Sequence, residues 1–209
     1  METLPKFLAK QIESTAYHEA GHMTAAIVQA MPIRASGLYA DLQGCGVANY
    51  FERPLTDLRM TELDSKERKL TIIALFAGQV AQLKFYPGCA SNGWMHDLSK
   101  IYTLCRQLHP TNEQAQIEIR EDLRERTKKL IDKFWPIVKE LAKALLAKPC
   151  SPMPPEEIKA GWGKGEVRHV NGQEVVALFA RHNITAKIVD DVTQAYDSAQ
   201  DTPHYNSLV

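Results

Sequence analysis

The chain has no long apolar run, no paired cysteines and no surplus of either charge, and each shortage removes a class of function. No stretch approaches the roughly 20 apolar residues of a membrane helix. The opening residues, METLPKFLAKQIEST, lack the apolar core of a signal peptide. Lysine plus arginine number 25 and aspartate plus glutamate 25, for a formal net charge of zero. Without a basic excess there is no electrostatic reason to expect nucleic acid or an anionic membrane as partner. The four cysteines, Cys45, Cys89, Cys105 and Cys150, form no C-x-x-C pair. They read as reduced thiols of a cytoplasmic protein, not as a disulfide framework or a cysteine zinc site. No G-x-x-x-x-G-K-S/T phosphate loop occurs, so nucleotide-driven work would have to come from another chain.

What is present is 209 residues at 44% apolar content, enough to bury one substantial core. Ser14 or Thr15 can cap a helix reaching about Ala30, which Pro32 stops. Residues 33–60 lose the helical period, and GLYADLQGCGVANYF predicts a small hairpin or sheet. TELDSKERKLTIIALFAGQVAQLKF predicts a helix over about 61–85, apolar nearly all round its middle and therefore expected at the centre of the fold. A turn-rich loop, YPGCASNGW, precedes a helix from about Met95 to Leu108. Thr111 is the expected cap of a long charged amphipathic helix or helix pair, in which Pro136 marks a kink or a join. KPCSPMPPEE reads as a linker or extended segment and GWGKGEVRHV as a flexible connector. NGQEVVALFARHNI predicts a short helix, with a hairpin at Asn171-Gly172 as the alternative. The polar last dozen residues read as frayed. The expected fold class is mainly α with a small β-sheet.

The stretch AYHEAGHMTA holds His18, Glu19 and His22 in the pattern H-E-x-x-H. Residues i and i+4 sit one above the other on a helix, so both imidazoles can face one metal ion. The glutamate at i+1 lies beside them, where it can take a proton from a metal-activated water and pass it to a leaving amine. The plain alternative is a helix with two ordinary histidines. Gly21, costing about 1 kcal/mol inside a helix, asks for a reason such as the close approach of another backbone.

Catalytic zinc usually keeps three protein ligands and one open position. Glu52, Glu62 and Glu67 would suit a His-His-Glu site, though Glu62 and Glu67 look like solvated helix-start residues. Asp97 is more awkwardly placed. On a helix over 95–108 it heads a stripe continued by Ile101, Leu104 and Leu108, and a carboxylate on an apolar face needs a partner. It can equally be a first-turn aspartate complementing the helix dipole. His96 is a further candidate, about 100° away round the helix.

TAYHEAGHMTAA resembles the A-x-HE-AGHA segment of the FtsH family of ATP-dependent zinc metalloproteases, and ALFAGQVAQLKFYPGCASNGWMHDLSKIYTLCRQL is similar to that family's later segment. Order and approximate spacing agree over roughly residues 12–148. The resemblance implies a peptidase-like domain over 1–150, mainly helical with a small sheet, followed by a C-terminal extension over 151–209 with a short helix and a frayed tail. It implies His18, His22 and Asp97 as zinc ligands and Glu19 as general base. It also implies an edge strand that pairs with substrate backbone, matched by GCGVANYF at Gly46, Val47 and Ala48. Two departures stand out: the family's GRAAE is GQVAQ here, so Gln79 replaces an arginine and Gln82 a glutamate. Altered groups behind the ligands weaken metal binding or change activity.

The family's ATPase module and membrane anchor are not in this sequence. The implied function is therefore a zinc metallo-endopeptidase acting on peptides or unfolded polypeptides, helped by a partner ATPase in trans or assembled as a homo-oligomer. A peptide-binding or regulatory homologue with weak or no turnover is the second expectation, motivated by Gln79 and Gln82 and opposed by the intact Glu19. Tyr17, His96 and Asn92 are the candidates for stabilising an oxyanion. Trp94, Trp135 and Trp162 read as packing residues, and the other histidines, at 109, 169, 182 and 204, have no ligand-like spacing.

Overall fold

The computed structural model describes residues 6–41, 46–48, 57–88, 94–153 and 165–189. Six helices carry most of them: α1 (Lys6–Val28), α2 (Asp57–Glu62), α3 (Ser65–Phe85), α4 (Met95–Leu108), α5 (Glu113–Leu146) and α6 (Gly172–Ala180). The strands are β1 (Ile33–Arg34), β2 (Leu38–Asp41), β3 (Gly46–Ala48), β4 (Ser151–Pro152), β5 (Glu166–Val170) and β6 (Ile188–Val189). The protein is mainly helical with a small sheet, as the periodicity predicts. Among the described residues no helix is long and apolar enough to cross a membrane.

Helix α3 is the central element because its middle is apolar nearly all round. Ala74, Ala77 and Ala81 face a cluster built with Ala16, Ala20 and Met23 of α1, Ile131, Val138 and Leu141 of α5, and Val175, Leu178 and Phe179 of α6. Ile72, Leu75 and Phe76 face a second cluster with Met60, Leu63, Ile101, Leu104 and Leu123. Each fully buried Ile, Leu or Phe contributes about 1.5–3 kcal/mol, so α3 anchors two cores at once. The predicted stripe on α4 is present: Ile101 and Leu104 are buried and Leu108 packs against the same cluster.

Several boundaries differ from the sequence reading. The described part of α1 starts at Lys6, so Ser14 and Thr15 are buried mid-helix residues and not caps. The Ser14 hydroxyl donates to the Gln11 carbonyl at 2.9 Å. The stretch expected as one helix over 61–85 is split, because Asp64 and Glu67 form a capping box that starts α3. The cap of α5 is Asn112, which accepts from the Ala115 amide, one residue beyond Thr111. The expected kink is there: Phe134 leaves helical geometry two residues before Pro136, whose ring cannot follow a straight helix.

The sheet has the order β3-β2-β5-β4, antiparallel throughout, and β1 pairs with β6 in parallel. The hairpin expected within 33–60 is β2–β3, with Tyr39 opposite Val47 and Ala40 opposite Gly46. Glu166–Val170, expected in a connector, is instead an inner strand, with Tyr39 opposite His169 and Leu38 opposite Val170. Its own signal is two valines, and its longer pairing, with β2, brings the Tyr39 ring onto His169 at 4.3 Å from far away in sequence. Asn171 then caps α6 in a capping box with Glu174, so the short helix is formed and the hairpin is not.

The reason for Gly21 is the α1–α3 contact. A Cβ there would lie 2.4 Å from the Ala77 carbonyl oxygen and 2.7 Å from the Ala81 Cβ. Helix propensity alone makes Gly21→Ala stabilising by about 1 kcal/mol. The backbone collision reverses that sign, and Gly21→Ala is expected to lose about 1–3 kcal/mol in urea unfolding.

Candidate metal centre

Two stripes meet where α1 packs on α3. Ser14, His18 and His22 follow one another at four-residue intervals on α1, and Ala74, Gly78 and Gln82 do the same on α3. Such positions share a helix face. The pairing is antiparallel, with Ser14 and His18 at Gln82 and His22 at Ala74. Gly78 is the gap between them that the rings fill. A Cβ on it would stand 2.4 Å from His22 Nε2 and 2.8 Å from His18 Cε1.

Both rings are buried and fixed from behind. His18 Nδ1 lies 3.1 Å from Gln82 Oε1, and His22 Nδ1 lies 2.7 Å from the Ala74 carbonyl oxygen. Both partners are acceptors, so each Nδ1 carries the hydrogen and each neutral ring presents a bare Nε2. The rings stand edge to face at 86°, and the two Nε2 atoms are 2.8 Å apart. Asp97 Oδ2, from the first turn of α4, lies 3.2 Å from each of them. Three acceptor atoms thus converge in a buried space, an arrangement that requires positive charge between them.

A divalent metal fits this requirement. Donors about 2.0–2.1 Å from a common tetrahedral ion lie about 3.4 Å apart, close to the triangle of 2.8, 3.2 and 3.2 Å seen here. Neutral imidazoles with a carboxylate are a borderline-soft donor set suited to zinc. Among the described residues, His18, His22 and Asp97 form the only group of three or more such side chains close enough to share an ion.

In the metal-free protein a proton takes the place of that charge. Burial lowers the His22 pKa, but the Asp97 charge and hydrogen bond, with Glu19 adding to them, outweigh it and lift the value to about 9. Burial likewise raises Asp97, and the two imidazoles overcome it, holding the carboxyl well below the usual carboxylate range. Glu19 is 4% exposed, and its pKa is raised by burial, with His18 and His22 opposing and Asp97 reinforcing. Strand β3 covers it: a Cβ on Gly46 would fall 2.6 Å from Glu19 Cγ and 2.7 Å from Oε1.

The structure therefore brings together His18, Glu19, His22, Asp97 and Gly46. Glu62 is exposed, Glu67 serves the α3 cap, and the exposed His96 is not part of the triad. Glu52 and Asn92 lie outside the described residues. Tyr17 is a packing residue, stacked on Phe85 at 3.9 Å and tilted against Trp135. Residues the motif does not name complete the centre: Ser14, the Ala74 carbonyl, Gly78 and Gln82. Their shared four-residue spacing on two helices was the available signal.

Gly78→Ala is expected to weaken zinc binding at least about 10-fold by displacing both imidazoles, read by competition with a chromophoric chelator. The pH dependence of the metal-stripped protein has a definite sign. A His22 pKa raised from 6.5 to about 9 gives stability that is complete below pH 6.5 and lost as pH rises through 9. The raised Glu19 pKa works in the same direction. Thermal unfolding should therefore show a loss on the order of 3 kcal/mol between about pH 6.5 and 9. Comparison with protein-family models and with curated proteins gives no match to this chain, so the centre is characterised by its own geometry.

Proposed function

We propose that this chain is a zinc-dependent metallo-endopeptidase-like domain that hydrolyses peptide bonds in peptides or unfolded polypeptides. The observation that carries the reading is the convergence of His18 Nε2, His22 Nε2 and Asp97 Oδ2 within 3.2 Å of one another. These three residues would hold the ion. Bound zinc supplies Lewis acidity, bringing the pKa of a water to about 7 and polarising a carbonyl.

The chain's own residues supply the rest. Glu19 follows the first ligand directly, and its burial raises its affinity for a proton. It accepts the proton of the attacking water as the hydroxyl joins the carbonyl carbon. It then delivers that proton to the departing amine nitrogen as the C–N bond breaks. Strand β3 is one of the two edge strands of the sheet among the described residues, and it lies against α1 beside Glu19. An extended peptide can add to the main chain of Gly46, Val47 and Ala48, a sequence-tolerant mode that suits unfolded substrates.

The resemblance to the FtsH peptidase domain supports the same roles for the same residues. It adds the proposal of an ATPase acting in trans, or a homo-oligomer, delivering unfolded chain to the site. A cytoplasmic setting is consistent with Cys105 and Cys150, which are free thiols.

The test is cleavage of unfolded casein by the zinc-loaded protein. A chelator should abolish cleavage and added zinc restore it. Glu19→Gln should keep stoichiometric zinc while turnover falls by about 10²–10⁴-fold. Undiminished turnover in that variant would defeat the role of Glu19. Zinc binding with capture of casein but no cleavage by the wild type would favour the peptide-binding homologue.

A further inference from the structure

The residue that replaces the family's glutamate is not a bystander. Gln82 is 2% exposed and sits on α3 one turn beyond Gly78. Its Oε1 is the acceptor for His18 Nδ1–H at 3.1 Å, and its Nε2 donates to Ser14 Oγ at 3.3 Å. The Ser14 hydroxyl in turn donates to the Gln11 carbonyl at 2.9 Å. The chain has a fixed direction. A carbonyl oxygen at Gln11 can only accept, so Ser14 must turn its lone pairs to Gln82. The amide nitrogen of Gln82 must then point to Ser14, and its oxygen to His18.

The two imidazoles are therefore held by different means. His22 is backed by a main-chain carbonyl of α3, which no side-chain substitution removes. His18 is backed by a neutral side-chain amide whose orientation depends on a serine one helical turn before it. We propose that Gln82, oriented by Ser14, is the positioning residue that fixes the His18 tautomer and ring, and that its neutrality sets the metal affinity of this centre below that of a carboxylate-backed one. The proposal rests on the metal reading above and adds the control of affinity to it. Groups behind a metal-bound histidine fix its tautomer and raise its basicity, and losing them typically costs about 10–100-fold in affinity. A carboxylate accepting the same N–H would push more charge onto the ring than an amide does.

The experiment uses the full chain and zinc, with affinity read by chelator competition and imidazole tautomers by long-range ¹H–¹⁵N spectra of the metal-free protein. Gln82→Leu should bind zinc about 10–100-fold more weakly. Its His18 should move from the Nδ1–H form towards Nε2–H, while His22 keeps the hydrogen on its Nδ1, against the Ala74 carbonyl, as an internal control. Gln82→Glu should bind zinc more tightly than the wild type, and affinity no higher than wild type would overturn the role given to neutrality. Wild-type affinity and an unchanged His18 tautomer in Gln82→Leu would overturn the proposal. So would a Gln82→Glu protein as weak as Gln82→Leu, which would assign the loss to packing. If Gln82→Leu does not fold, Ser14→Ala carries the test: several-fold weaker binding is expected, and wild-type affinity overturns the proposal. A wild-type protein that binds no zinc would sink the metal reading and this proposal together, whereas zinc bound equally by all variants would sink this proposal alone.

Discussion

Helices α1 and α3 approach so closely that a single methyl group on Gly21 would meet the Ala77 carbonyl oxygen. That contact is the constraint on which the rest depends. Only at this separation can His22 reach a main-chain carbonyl of α3 and His18 reach Gln82. Only because Gly78 has no side chain is there room between the helices for two rings. The small residues on both helices, Ala16, Ala20 and Gly21 against Ala74, Ala77 and Ala81, exchange side-chain bulk for proximity. The large residues of α3 anchor it in the second core and hold the helix in place.

The electrostatics follow from that packing. Burial takes the imidazoles and carboxylates out of water, so each charge must find a counter-charge within the protein or a bound ion. Asp97 answers the two histidines from the first turn of α4, and that helix is held by Ile101 and Leu104 lower on the same face. The position of the carboxylate is thus set by apolar packing one and two turns away. Glu19 is enclosed by the approach of β3 at Gly46, and its proton affinity rises as a result. One glycine on α3 admits the rings and another on β3 admits the base.

Much of this was legible in the sequence. The H-E-x-x-H spacing, the apolar girth of α3, the stripe headed by Asp97 and the kink before Pro136 are local patterns, and each reports geometry within a few turns of one element. The inner strand Glu166–Val170 was not legible, because β2, the partner that makes it an inner strand, lies more than 120 residues earlier by the register of Tyr39 with His169. Ser14 was misread for a related reason. A serine ahead of an apolar run is a good helix cap, and only the presence of Gln82 makes it more useful in the middle of α1.

The sequence by itself determined that two imidazoles and a carboxylate lie on one helix, with a second carboxylate poised on the apolar face of another, since helical periodicity is a property of the local chain. Tertiary structure alone decided that these faces meet, that Gln82 and the Ala74 carbonyl orient the two rings, and that β3 closes over Glu19. Those are contacts between segments far apart in the chain, and their distances are set by how closely two backbones can pack.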